Sequence, residues 1–258
     1  MSIESGMIRW KNRVALVTGA SVGIGEAICT SLVSHGMTVI GCARSKDKID
    51  MLSNDLSKKG LSGRLIAYKC DVSNDKNIDD MFEWIAKNHG GVDVMVNNAG
   101  FSCKDTLLEI TGDKMRDMLN VNVVGLVLCT SKAVKSMLTR GVDDGHIFNL
   151  NSMSGHRLTG ILNFYAATKF AVTALTEGFR RELVENSKIR ITAISPGLVE
   201  TEFLARAFED KDMAQSVFAR CESVIKPQDI ADILLFSLSS PPNIQIHDVL
   251  VRPCGEKI

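Results

Sequence analysis

Tyr165 and Lys169 stand four residues apart in Tyr165-Ala166-Ala167-Thr168-Lys169, a spacing that puts both on one face of a helix. Ser152 lies thirteen residues before the tyrosine, in Asn151-Ser152-Met153-Ser154-Gly155. A phenol, an ammonium and a hydroxyl brought together can move a proton to or from an oxygen. Free tyrosine, with a pKa near 10, is a poor base at neutral pH. A nearby positive charge lowers that value by roughly 1–3 units, towards the range of an acid–base catalyst. The spacing therefore predicts Tyr165 as acid/base, Lys169 as the charge beside it, and Ser152 as a donor to an oxygen on which charge develops. Taken singly, each residue has a plainer reading: a packed tyrosine, a solvated lysine, a serine cap.

Such side chains need a scaffold, and the chain alternates short apolar runs with longer amphipathic stretches throughout. Strands are expected at Val14–Thr18, Thr38–Ala43, Leu65–Cys70, Val92–Val96, His146–Leu150, Arg190–Ile194 and Asp248–Val251. Most are flush with Val, Ile or Leu and lack period-two alternation, as strands do when both faces of a parallel sheet are covered. Helices are expected from Ile24 to Ser34, stopped by Gly36, and from Ile78 to Asn88, stopped by Gly90. Further helices are expected over 113–139, 164–186 and from Pro227. Strand alternating with helix gives right-handed crossovers and an α/β, Rossmann-type, seven-stranded, mostly parallel sheet with helices on both faces. We read residues 1–258 as one domain. Ligands in this architecture sit at the carboxyl ends of the strands.

The first strand runs into Thr18-Gly19-Ala20-Ser21-Val22-Gly23-Ile24-Gly25. Glycines there allow close backbone approach, and the helix start offers free N–H groups to a pyrophosphate. Gly19, Ser21, Gly23, Ile24 and Gly25 are the expected phosphate loop, although an ordinary strand-to-helix turn has the same outline. An NAD site wants an acid at the end of the second strand for the ribose 2′-hydroxyl. Here Ala43 takes that place and Arg44 follows, which favours the 2′-phosphate of NADP(H); a solvated arginine in a charged loop is the alternative. Asp71 and Val72 close the third strand, where Asp71 can meet the adenine or cap the helix beginning near Asn74. Asn98, Ala99 and Gly100 close the fourth, where side-chain amides can touch a ribose or tie strands together.

These motifs resemble the short-chain dehydrogenase/reductase family, in its single-domain branch, from Arg13 to about Arg252. The resemblance rests on T-G-A-S-V-G-I-G at 18–25, N-N-A-G at 97–100, the serine thirteen before Y-x-x-x-K, and Pro196-Gly197. It implies hydride transfer with a nicotinamide cofactor and a tetrad of Asn122, Ser152, Tyr165 and Lys169. In that tetrad Lys169 bonds the nicotinamide ribose, and Asn122, followed three residues later by Gly125, holds a water that relays protons. It also implies cofactor contacts at Pro196, Gly197, Val199 and Thr201. Ser152–Arg157 and Asp248–Pro253 look like the subgroup of insect farnesol dehydrogenases and cytosolic carbonyl and ketosteroid reductases. A substrate lid is then expected at about 198–225, and Ser152, Met153, His156, Tyr165 and Phe203 are the expected substrate contacts. The implied substrate is a lipophilic alcohol or carbonyl, such as an isoprenoid, a ketosteroid or a xenobiotic. A protein that only senses NADP(H) is the alternative.

Composition narrows the partners. Thirty basic residues balance thirty acidic ones over 258 residues, so nothing draws the chain as a whole to nucleic acid. Seven scattered cysteines and five histidines form no zinc pattern or disulfide framework. No metal and no apolar run long enough to span a bilayer are expected, and the location expected is cytoplasmic. The apolar helices over 113–139 and 164–186 point to a homodimer or homotetramer.

Overall fold

A computed structural model describes residues 2–158, 162–219 and 222–255. Seven strands form one sheet: β1 Val14–Thr18, β2 Thr38–Ala43, β3 Arg64–Lys69, β4 Val94–Asn97, β5 His146–Leu150, β6 Arg190–Pro196 and β7 Asp248–Val251. Their order is β3-β2-β1-β4-β5-β6-β7, and every pairing is parallel, not merely most of them. The order reverses between β1 and β4, and the crevice above that point is where such sheets receive ligands.

The central strands are buried on both faces. Ala15 and Val17 of β1 face one apolar cluster, while Val14 and Leu16 face the other. The first cluster is closed by α2 Gly23–Ser34, α3 Lys46–Lys58 and α10 Pro227–Ser239, through residues such as Ile28, Ile49 and Leu234. The second is closed by α4 Asp75–His89, α6 Leu126–Thr139 and α7 Asn163–Leu183, through Met81, Met137 and Leu183. That two-sided cover explains why the strands read as continuous apolar runs.

Helix starts follow local chemistry. Asn74 accepts from Asn77 N–H and caps α4, and Thr111 accepts from Lys114 N–H and caps α5 Gly112–Leu119. Gly90 ends α4 at φ 80°, where glycine is the low-cost residue. Between α5 and α6 the chain widens into a π turn, Asn120–Gly125. Together these make one helix of 28 residues, Gly112–Thr139, long and apolar enough by length and composition to cross a membrane. The sequence reading expected no such run. Met118, Asn122, Cys129, Ala133 and Met137 are buried along it, so its apolar character serves the packing of the sheet.

Four helices were not foreseen. α1 Ile3–Met7 packs on α10, α3 begins at Lys46, and the segment after β6 folds into α8 Phe203–Phe208 and α9 Lys211–Phe218. Of the seven cysteines, Cys29, Cys42, Cys70, Cys103, Cys129 and Cys254 are free, and Cys221 lies outside the described residues. Among the described residues no His, Cys, Asp or Glu cluster could hold a metal.

Candidate active site

A cleft of about 1460 Å³ opens above the carboxyl ends of β1 to β6. One end is the glycine loop. Gly19 and Gly23 hold φ of 65° and 61°, a region side chains rarely adopt. Gly25 is required by space instead: a β-carbon there would lie 2.3 Å from Gly19 O and 2.6 Å from Asn98 Nδ2. Val22, at the N-cap of α2, offers no side-chain acceptor, so the first N–H groups are left for a ligand. Gly19, Ser21, Gly23 and Ile24 line the cleft, with Gly25 supporting them from behind. The loop thus fits a dinucleotide pyrophosphate.

Asn98 turns out to build this loop. Its Nδ2 donates to the carbonyls of Thr18 and Gly19 at 2.9 and 3.1 Å. Its neighbour Asn97 donates to Thr130 and Asn149 inside the sheet. Both amides therefore take the tying role, although Asn98, Ala99 and Gly100 still border the cleft. Asp71 does not cap α4, which Asn74 does; its carboxylate accepts from the N–H and hydroxyl of Ser73, at 3.0 and 2.7 Å. Asp71 and Val72 line the cleft on the β3 side. Arg44 is exposed at the rim with Ser45 and Lys48, and has no hydrogen-bond or ion-pair partner among the described residues. It stands in the two-residue link between β2 and α3, and Lys46 beyond it is taken by Asp50 at 2.7 Å.

Pro196, Gly197, Val199 and Thr201 line the same cleft beyond β6. A β-carbon at Gly23 would sit 3.2 Å from Thr201 Cγ2, so this stretch closes against the glycine loop.

The chemical end is built on β5, the π turn and α7. Ser152 follows β5 and caps a short 3₁₀ turn, Met153–Gly155, accepting from Ser154 N–H at 3.1 Å. Tyr165 and Lys169 are both buried in the first turns of α7, and the Lys169 ammonium is 5.6 Å from the centre of the Tyr165 ring. Lys169 Nζ donates to Leu150 O at 2.7 Å. Phe203 of α8 packs on Tyr165 with ring centres 5.3 Å apart.

Asn122 is fully engaged through its amide. Oδ1 accepts from Phe101 N–H at 3.0 Å, and Nδ2 donates to Phe101 O and Thr168 Oγ1 at 2.9 and 3.1 Å. One Oδ1 lone pair and the main chain of the π turn remain to hold a water. A β-carbon at Gly100 would stand 3.3 Å from Asn122 Oδ1 and 4.0 Å from Lys169 Nζ, so the glycine lets these two groups share one corner. Gly125 has a similar reason: a β-carbon there would lie 2.4 Å from Val72 O.

Burial governs the charges at this end of the cleft. Burial pushes the Tyr165 phenol above its ordinary value, and its hydrogen bond with Ser152 pulls it only partly back. Burial also lowers Lys169, to about 8. Desolvation disfavours both charged forms, so without a further positive charge the tyrosine is a protonated phenol.

His156 departs from expectation. Its Nε2 bonds Ser195 Oγ at 2.9 Å, which ties the 3₁₀ turn to β6, and the residue does not border the cleft. Arg157, missed in the sequence reading, borders it instead with Met153 and Leu158.

The fold, the open helix N-terminus and the Ser–Tyr–Lys arrangement are those of an α/β protein of the dehydrogenase/reductase class. The family model for short chain dehydrogenase matches residues 13–212, and the chain belongs to that family. It is 48% identical to dehydrogenase/reductase SDR family member 11 of Mus musculus, with 97% of each chain covered. It is 43% identical to farnesol dehydrogenase of Aedes aegypti, over 97% of this chain and 100% of that one. An alcohol dehydrogenase from the archaeon Thermococcus sibiricus, complexed with 5-hydroxy-NADP, superposes with a TM-score of 0.82 at 26% identity, covering 96% and 99% of the two chains.

Proposed function

We propose that this protein is an NADP(H)-dependent dehydrogenase/reductase that interconverts an alcohol and a carbonyl on a lipophilic small molecule. The observation that carries this reading is the placing of Ser152, Tyr165 and Lys169 in the cleft that the glycine loop opens. NADPH, when bound, supplies the hydride. The protein's own groups handle the oxygen. In reduction Tyr165 gives its proton to the carbonyl oxygen, and burial keeps that proton in place at neutral pH. Ser152 donates a hydrogen bond to the same oxygen as it gains charge. Lys169 would hold the nicotinamide ribose and, with Asn122, would return the proton from solvent.

Arg44 supports the choice of NADP(H), since a free guanidinium at the rim matches a 2′-phosphate bidentately. Met153, Leu162, Phe203, Leu204 and Val217 give the other end of the cleft an apolar lining. Such a lining suits an isoprenoid alcohol such as farnesol, a ketosteroid or a xenobiotic carbonyl, and the relative from Aedes aegypti is a farnesol dehydrogenase. A homodimer or homotetramer belongs to the same reading. Val124, Leu138, Phe170 and Val184 are exposed apolar residues on the helices expected to pair. The free thiols accord with a reducing, cytoplasmic setting.

The test is a screen of apolar alcohols and ketones with NADP⁺ and NADPH, run on wild type and Tyr165→Phe. General acid–base loss predicts a fall of about 10²–10⁴-fold in turnover with NADPH affinity retained. Wild-type turnover in Tyr165→Phe would sink the mechanism. NADPH binding with no turnover of anything would favour a sensor.

A further inference from the structure

We infer that Arg157 forms a second anchoring point in the substrate end of the cleft, one that takes a carboxylate remote from the reacting carbon. This rests on the oxidoreductase reading and deepens it, because it names a substrate class: a lipophilic oxo acid or hydroxy acid.

Six cations border the cleft. Lys169 is held by Leu150, Arg206 by Glu202 at 2.5 Å, and Arg252 is engaged. Arg44 and Lys48 stand at the dinucleotide end. Arg157 alone of the six lies at the substrate end with a guanidinium that has no hydrogen-bond or ion-pair partner among the described residues. It is half-buried, and Met153, Leu158 and Leu162 line the same cleft. The three carboxylates of the cleft are Asp71, Asp117 and Glu202, and none of them pairs with it.

Local geometry aims it there. The turn after Ser152 is locked by Gly155 N–H on Ser152 O at 2.9 Å, and by Arg157 N–H on Met153 O at 3.2 Å. His156 is drawn towards β6 by Ser195, and the next side chain leaves the turn on the cleft side. The residue that donates to the reacting oxygen and the guanidinium thus share one rigid turn.

A guanidinium half-withdrawn from water among apolar side chains loses hydration that nothing in the described structure returns. A ligand carboxylate returns it in a bidentate pair, strengthened by the apolar surroundings. A plain alcohol or hydrocarbon tail cannot.

The experiment uses a homologous series of methyl ketones ending in a carboxylate, each matched with the ketone carrying a methyl group in its place. Reduction by NADPH is followed, and binding to the protein–NADPH complex is measured by calorimetry. At the chain length that spans the cleft, the acid is expected to show a KM and Kd roughly 10–100-fold below its methyl partner, the range of a charged hydrogen bond. Arg157→Leu should abolish that difference while leaving NADPH affinity and kcat for the methyl ketones unchanged, and Arg157→Lys should restore part of it. No preference for the acid at any length, or a preference that survives in Arg157→Leu, overturns the inference. Should neither ketone of any pair be reduced, the oxidoreductase reading falls, and the calorimetric difference still decides the carboxylate site.

Discussion

The Lys169 ammonium and the Leu150 carbonyl lie 2.7 Å apart, which ties the charge on α7 to the main chain of β5, two residues before Ser152. The strand that carries the serine therefore also holds the lysine. The side chain of Leu150 takes no part in that bond, so the tie survives apolar substitution there.

Burial of that ammonium has a pH signature. Lys169 titrates at about 8 when folded against an ordinary 10.5, so below pH 8 both states carry the proton and the native state bears the full desolvation cost. Between about 8 and 10.5 the unfolded chain binds more protons, and stability due to this group rises with pH. Wild type should gain on Lys169→Met by on the order of 3 kcal/mol across that window. Denaturant unfolding of both proteins from pH 7 to 10.5 measures it; a constant difference would show that the lysine is not desolvated.

Arg44→Ala should lower the ratio of kcat/KM for NADPH to that for NADH by roughly 10–100-fold, as loss of a charge-assisted pair requires. Turnover at saturating cofactor should change little. An unaltered ratio would remove Arg44 from cofactor selection.

Gly25→Ala places a methyl group against Gly19 O and Asn98 Nδ2, neither of which can retreat without opening the loop. We expect a stability loss of about 1–3 kcal/mol and weaker NADPH binding, read by thermal unfolding with and without cofactor. Unchanged binding would mean that the loop does not hold the phosphates.

His156→Ala cuts the link to Ser195 and leaves the cleft wall in place. Turnover should fall for all substrates in similar proportion, with their ranking preserved. A change confined to one substrate would return His156 to the substrate wall.

The strands were legible because burial on both faces leaves a plain apolar signature. Val14–Thr18, Thr38–Ala43, His146–Leu150 and Asp248–Val251 stand where they were expected. Others moved by a residue or two, as at β4, whose first paired residue is Val94 although Asp93 N–H already meets Val14 O. α3 was missed because it buries only Ile49 and Leu56 among polar residues, so its start reads as a charged loop. The π turn leaves no mark in composition, although the family resemblance had singled out Asn122 and Gly125 within it. Tyr165, Lys169 and Ser152 stood out by their chemistry and spacing, whereas Asn122 entered only through the resemblance to the family. His156 and Arg157 were confused because the direction of neighbouring side chains in a turn depends on a partner, Ser195, almost forty residues away.

A single parallel bridge joins Val199 to Ile225, with Glu200 N–H on Ile225 O and Ile225 N–H on Leu198 O, at 2.8 and 3.2 Å. It closes the base of the excursion that carries α8 and α9. An insertion, deletion or exchange in α9 is thus separated from β6, while Phe203 of α8 keeps its place on Tyr165. Over evolutionary time the surface that selects a substrate can be rewritten as a cassette, while the proton-handling groups are inherited unchanged. For engineering, the same clasp marks where a lid from another member of the family can be spliced in.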